Sequence, residues 1–539
     1  MDDIETQKLL ADRRRSSEED NVAANQLHLN AKGLEVLVGP WQAKNELGPR
    51  TPAYGGRGAL MEEAREQIRV AAPIVGMNVV QMLLVLTSAA FVGHVGALAL
   101  ASCQLATSLA SATGHYLLYG MALGLETLGG RAFGAGQLSE LGHATYRCLL
   151  LLTLIAAVVS LCWLQAERAL IFLGQEKTLA QVAARYMHLL IPSLFANAWT
   201  QPLLKFLQSQ GVTAPLAACS VVALLFHVPN NWFFVHYLGW GLDGAAIATS
   251  LAYSMIFLCL AGHVFTSPRY AKARPRFSWA KATSGWTAQI RLGVPSTVML
   301  CLEYWAFDAL YLMCGMLPNP YLLVSGLSVA MNTAWLMSMT YVGLGAATST
   351  RVAAELGARS ACGAKTVARV GLSLAAALGV TAFAMILASS RWLPLIFVES
   401  TNGELLRLTS ALMACVAGLS IVDSVQNNAG SILRGCGRQS LGAGVTLSSY
   451  YLVGLPSSAL LAFHLGFGVW GLVGGLCLAV LTQATCLTTL IVRTDWKHQV
   501  ERATASVAEL SGIEALPLFD EKPPPPASNT AQSSLEAKT

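Results

Sequence analysis

The chain has 539 residues, of which 54% are apolar and only 12% charged, against roughly 25% charged in an ordinary soluble domain. So few polar side chains could not cover a soluble body of that size, which excludes a water-soluble fold, and the net charge of +5 is informative only through its distribution. Twelve cysteines with no CxxC pair and no Cys/His cluster indicate neither a zinc site nor a disulfide framework. No Gly-Lys dipeptide occurs, so the phosphate-cradling GxxxxGK loop is absent and coupling to an ion gradient is expected instead of ATP hydrolysis.

In chain order, residues 1–65 are polar and contain no short apolar core after a basic start, so they carry no secretory signal. They read as a disordered cytosolic arm. Twelve apolar spans follow, at roughly 68–92, 98–125, 144–165, 183–207, 214–236, 243–265, 286–313, 321–345, 366–389, 406–430, 440–463 and 468–492. Several reach the ~20 residues that cross ~30 Å of hydrocarbon. The expected organisation is an all-α polytopic membrane protein with an N-lobe over 66–265, a basic inter-lobe loop over 266–285 and a C-lobe over 286–492. A cytosolic, disordered tail over 493–539 ends the chain. Arg269, Lys272, Arg274, Arg276 and Lys281 crowd the middle loop, and Arg131, Arg147, Arg351, Arg359, Lys365, Arg434 and Arg438 flank other loops on that side. Both termini are therefore expected in the cytosol.

The halves repeat. Arg69-Val-Ala-Ala-Pro73 matches Arg291-Leu-Gly-Val-Pro295, and Phe133-Gly134-Ala135 matches Leu356-Gly357-Ala358. Phe206-Leu207 with Gly211 matches Ile432-Leu433 with Gly437, and Gly241 with Gly244 matches Gly468 with Gly471. The offsets run only from 222 to 227. Six crossings per half make this a parallel repeat about an axis along the membrane normal, with a substrate path between the lobes.

Acids inside apolar spans cost about 2.5–3.5 kcal/mol each even on the milder insertion scale. Glu303 and Asp308 in span seven and Asp423 in span ten qualify as proton-coupling candidates. A desolvated carboxylate holds its proton to higher pH, and it attracts a cation when ionised and releases it when protonated. Asp308 lies about 140° around the helix from Glu303, so the two do not face one cavity together. The repeat register puts Gln81 opposite Glu303, which suggests titration in the C-lobe only. Tyr304, Trp305, Asn332, Trp335, Tyr341 and Gln426 cluster in the same spans and could line a cavity for organic cations, or could be ordinary helix packing. Glu126 reads as an interfacial ion pair with Arg131, His115 as a hydrogen-bonded packing residue, and Lys205 and Arg434 as snorkelling cations near helix ends.

Several motifs resemble signatures of the multidrug and toxic compound extrusion (MATE) transporters: Phe91-Val-Gly-His-Val-Gly96, Gly124-Leu-Glu-Thr-Leu-Gly-Gly-Arg-Ala-Phe-Gly-Ala135, Gly345 through Ala358, and Leu433-Arg-Gly-Cys-Gly437. Cys301-Leu-Glu-Tyr-Trp305, Leu317-Pro-Asn-Pro320 and Ser449-Tyr-Tyr-Leu-Val-Gly454 are most similar to the plant DETOXIFICATION branch. The resemblance covers about residues 66–495. It implies two six-helix lobes that export organic cations, alkaloids, flavonoids or xenobiotics in exchange for protons, sodium being the lesser expectation. It also implies coupling acids in the second lobe, falling on Glu303 and Asp423, with no enzymatic activity, cofactor, metal or nucleic-acid partner, and a monomer in contact with lipid. The short stretch 134–143 argues against the citrate-exporting relatives. Rival readings are a lipid-type flippase on the same fold and an ion channel. Glu5, Leu9 and Leu10 resemble an acidic dileucine sorting signal, favouring the vacuolar membrane over the plasma membrane.

Overall fold

The computed structural model describes residues 57–390, 392–397 and 403–511. Twelve long helices occupy the described chain, and the spans α1–α6 form one lobe: α1 Arg57–Gly93, α2 Ala97–Gly134, α3 Leu138–Trp163, α4 Lys177–Ser209, α5 Ala214–Tyr237 and α6 Gly241–Thr266. The second lobe holds α7 Trp286–Gly315, α8 Pro320–Gly357, α9 Ala361–Ser389, α10 Gly403–Gly435, α11 Gln439–His464 and α12 Gly468–Val492. Ten of these are long and apolar enough to cross a membrane on composition alone. The others, α2 and α4, carry interior polar residues such as Glu126, Gln201 and Lys205. Their burial against neighbouring helices explains how a polar helix can sit at this depth.

Backbone geometry repeats as the sequence does. At the end of α5 a π-helical turn closes with Leu238 N–H to Phe233 O at 2.9 Å, and Trp240 N–H then bonds Phe234 O at 3.1 Å. In α11 the same turn gives Leu465 N–H to Leu460 O and Phe467 N–H to Leu461 O, both at 3.0 Å. All four positions are related by 227, as in 465 − 238 = 227. Gly239 and Gly466, at φ 68° and 72°, continue the match in a region that favours glycine.

The lobes meet on the half of the molecule nearest Arg57 and Ser511, here called the terminal face. The second segment of α2, Tyr116–Gly134, packs on α7 and α8, and α1 packs on α8. The first segment, Ala97–Ala110, packs instead on α1, α4 and α6 of its own lobe. The closest approach is a crossing of α2 and α8 built on small residues. A Cβ on Gly134 would lie 1.9 Å from Ala354 O, and one on Gly357 would lie 2.1 Å from Arg131 O. The two contacts are repeat images of each other, because 357 − 134 and 354 − 131 are both 223.

Two expectations need correction at the ends. The arm expected over 1–65 stops short of 65, because α1 is helical from Arg57. Its apolar face, Val70, Ile74 and Met77, continues backward at helical spacing to the buried Gln67 and Glu63. The tail expected to be disordered from 493 contains a helix, α13, Trp496–Ser511. Asp495 caps it, its Oδ1 accepting from the N–H of Lys497 at 3.0 Å and of His498 at 3.3 Å. Gln499, Ala503 and Val507 form one buried stripe, through which α13 lies on α2, α8 and α9. Too polar to span a membrane, it is amphipathic enough to lie along the protein's face.

Candidate functional site

The repeat that makes the lobes alike leaves their charged interiors different. In the C-lobe, Glu303 on α7 and Asp423 on α10 are brought together by Gln426, one helical turn beyond Asp423. Its Nε2 donates one N–H to Glu303 Oε1 at 3.2 Å and the other to Asp423 Oδ1 at 3.1 Å. Gln426 is only 1% exposed, while both acids are half-buried, so the amide is the more enclosed member of the three. An amide NH₂ offers two donors in a fixed plane, so this geometry holds two carboxylates apart and in register. Tyr450, fully buried, lies near both acids, and its hydroxyl has no hydrogen-bond partner.

Aromatic rings continue from the acids to the lobe seam. Tyr304 lies 5.0 Å from Trp335 at 22° and 4.3 Å from Tyr116, centroid to centroid. Because Tyr116 belongs to α2, the stack joins the lobes. Trp305, one residue further along α7, is 49% exposed and does not enter the stack. Asn332 and Asp308 are also exposed, and Asp308 makes no hydrogen bond to either acid of the pair. Tyr341 is buried, with Ser420 of α10 beside its hydroxyl.

The equivalent N-lobe region is an amide-lined cleft between α1, α2, α4 and α8. Asn78, Gln81, Tyr119, Gln201, Lys205 and Gln208 line it. Gln81 corresponds to Glu303 (303 − 81 = 222), and Asn197 corresponds to Asp423 (423 − 197 = 226). Amides thus stand where the C-lobe has acids.

Lys205 and Glu126 require revision of the interfacial reading. Each is 1% exposed, and Lys205 Nζ donates to Glu126 Oε2 at 2.5 Å and to Gln208 Oε1 at 3.1 Å, beneath the Tyr119 ring. Lys205 therefore does not snorkel; it neutralises a carboxylate in the lobe interior. Arg131 does not pair with Glu126 but donates to Cys436 O at 2.8 Å across the seam. Arg434, partly buried, donates to Ser431 Oγ at 2.6 Å. His115 Nδ1 bonds Ala110 O at 3.3 Å in the π-helical turn Ser111–His115, a packing position. Sequence reasoning also passed over Glu63 and Gln67 on α1, although they extend the apolar periodicity of that helix. Glu63 holds Arg351 of α8.

A twelve-helix membrane protein of two parallel-repeat lobes, with polar sites in both lobe interiors, has the architecture of a secondary transporter. The MatE family model matches residues 73–233 and 295–460, together more than half the chain. Protein DETOXIFICATION 16 of Arabidopsis thaliana is 36% identical over 470 residues, covering 87% of this chain and 96% of the relative. Protein DETOXIFICATION 17 of the same plant is 36% identical over 446 residues, covering 83% and 93%. The crystal structure of the eukaryotic MATE transporter AtDTX14 superposes with a TM-score of 0.79 at 33% identity, covering 83% of this chain and 99% of that one. An outward-facing multidrug resistance MATE transporter of the MOP superfamily, at 16% identity and a TM-score of 0.74, shares the fold. The chain belongs to the MATE family of multidrug and toxic compound efflux transporters. The solved structures it resembles here are those of transporters.

Proposed function

We propose that this protein is a proton-coupled antiporter that moves small organic compounds, cationic or flavonoid-like, out of the cytosol by alternating access between its lobes. The observation that carries the reading is the Gln426-bridged pair of Glu303 and Asp423, matched by amides in the other lobe. Two carboxylates bonded to one amide nitrogen are at most the sum of two hydrogen-bond lengths apart. At ~5.5 Å and an effective dielectric of ~20, two charges there repel by about 3 kcal/mol, a cost that either a bound proton or a bound cation relieves. The site then holds either a proton or a cation, which is the exclusivity that antiport needs. The Tyr116–Tyr304–Trp335 stack supplies faces for a planar or cationic substrate, at about 0.5–2 kcal/mol per ring. Protons are favoured over sodium because a carboxylate takes up a proton with no further ligand, whereas a sodium ion needs several converging oxygens.

The basic residues Arg269, Lys272, Arg274, Arg276 and Lys281 lie in the connection between the lobes on the terminal face, which supports a cytosolic location for that face and both termini. The vacuolar membrane is favoured over the plasma membrane, since an acidic lumen would drive loading from the cytosol. The motif supporting it, Glu5 with Leu9 and Leu10, lies outside the described residues. A monomer is sufficient, because both sites form within one chain.

Vesicles carrying the purified protein and an imposed pH gradient test the reading against a panel of amphiphilic cations and flavonoid conjugates. Gradient-driven uptake is expected, and Glu303→Gln should abolish its dependence on the gradient. Uptake by Glu303→Gln with an unchanged pH dependence would remove Glu303 from the coupling step.

A further inference from the structure

We infer that the Glu63–Arg351 pair, seated by Gln67, is the gate that holds the two lobes shut at the terminal face and must open and re-form in each transport cycle. The inference rests on the alternating-access reading above. Arg351 of α8 donates from Nε to Glu63 Oε1 at 2.7 Å and from Nη2 to Glu63 Oε2 at 2.5 Å. This is a fork-to-fork contact between helices of different lobes. Gln67, one turn further along α1, donates to Glu63 Oε1 at 3.0 Å and to Val367 O of α9 at 2.9 Å. Its own Oε1 accepts from Thr348 Oγ1 of α8 at 3.2 Å, and that oxygen accepts from Asn428 Nδ2 of α10 at 3.2 Å. A continuous polar chain therefore ties the N-lobe helix α1 to α10, the helix that carries Asp423 and Gln426.

Three features make this contact a gate and not merely a stabilising pair. Glu63 is 1% exposed, so the pair is dry on the carboxylate side in this state, whereas separated lobes would hydrate both charges. A buried ion pair contributes little against well-packed apolar residues, but losing one partner while the site stays closed is strongly unfavourable. Such a contact discriminates sharply between closed and open arrangements. Around it, the α2–α8 crossing at Gly134 and Gly357 is a close approach of backbones, where the cation Arg131 meets only the neutral Cys436 carbonyl. Finally, the latch has no second copy. The repeat images of Glu63 and Arg351 are Gly285 (63 + 222) and Leu128 (351 − 223), neither of which is charged.

Native Cys436 reports on the seam. It is 2% exposed, and its carbonyl is bonded by Arg131 of the other lobe. Cys103, 3% exposed in the N-lobe core, reports on general loosening. The full chain, with the exposed Cys162, Cys362, Cys415 and Cys486 changed to Ser, is reconstituted in lipid vesicles and treated with N-ethylmaleimide, and modification is located by peptide mass. Glu63→Gln and Arg351→Gln should each raise the labelling rate of Cys436 by about tenfold or more, with Cys103 unchanged. The exchanged pair Glu63→Arg with Arg351→Glu should label more slowly than either single variant. Unchanged Cys436 labelling in both single variants, a rise shared by Cys103, or an exchanged pair as reactive as the singles would each overturn the gate. Labelling needs neither substrate nor gradient, so a wild-type protein that exchanges nothing would defeat the antiport reading and leave this result standing.

Discussion

Lys205→Met separates a buried ion pair from a snorkelling cation. Methionine keeps most of the stem's length but removes the ammonium that lies over the Tyr119 ring and faces Glu126 at 2.5 Å. Glu126 Oε1 already has no partner, so the variant leaves both carboxylate oxygens bare at 1% exposure. Breaking a buried pair from one side costs about 3–5 kcal/mol. An exposed pair would cost only ~0.2–1 kcal/mol. Removing both charges, as Glu126→Leu with Lys205→Met, leaves no uncompensated group and should recover most of the loss. The two singles and the double form a cycle whose coupling term is the quantity of interest. Unfolding free energies come from titration of micellar protein with sodium dodecyl sulfate, followed by tryptophan fluorescence. A loss below about 1 kcal/mol for Lys205→Met, or a double variant no more stable than that single, would refute the reasoning.

Two further outcomes follow from placement. Gly134→Ala would set a Cβ against Ala354 O, so the α2–α8 crossing could not close; vesicle uptake should fall below a tenth of wild type while the protein stays monodisperse on size exclusion, and near-normal uptake would show that the crossing need not close. Leu9→Ala with Leu10→Ala, tagged and imaged in plant cells, should move the protein to the cell surface; wild-type protein at the plasma membrane would overturn the vacuolar location.

How much of this was legible in the sequence depended on distance along the chain. The acids Glu303 and Asp423 stood out because a carboxylate in an apolar span needs a reason to be there. Gln426 could be placed beside Asp423 because residues three apart share a helix face. That one amide serves both acids depends on how α7 meets α10, 123 residues apart in sequence, and no local pattern encodes that. The same holds for Lys205 and Glu126, 79 residues apart. Each alone reads as a helix-end charge, and only the packing of α2 on α4 makes them a pair. Trp305 and Tyr304 illustrate the limit of composition: adjacent aromatics on a helix differ by 100°, so one reaches the seam and the other faces out. The terminal-face ends of α2 and α8, at Gly134 and Gly357, lie 9 and 12 residues beyond the spans expected to end at 125 and 345. Hydropathy marks the thickness of the hydrocarbon, whereas the backbone stays helical until its turn residues stop it.

The paired π-helical turns in α5 and α11 carry a history. A π turn is a rare departure from the α-helix, and two of them with the same hydrogen bonds at one spacing of 227 are unlikely products of separate accidents. The widened turn is best understood as present in a single six-helix ancestor before that ancestor was duplicated. Glu303, Asp423 and the Lys205–Glu126 pair have no counterparts at matching positions, so the halves diverged in charge around that shared turn. Geometry is what the two copies inherited; the chemical division of labour between them is the younger layer.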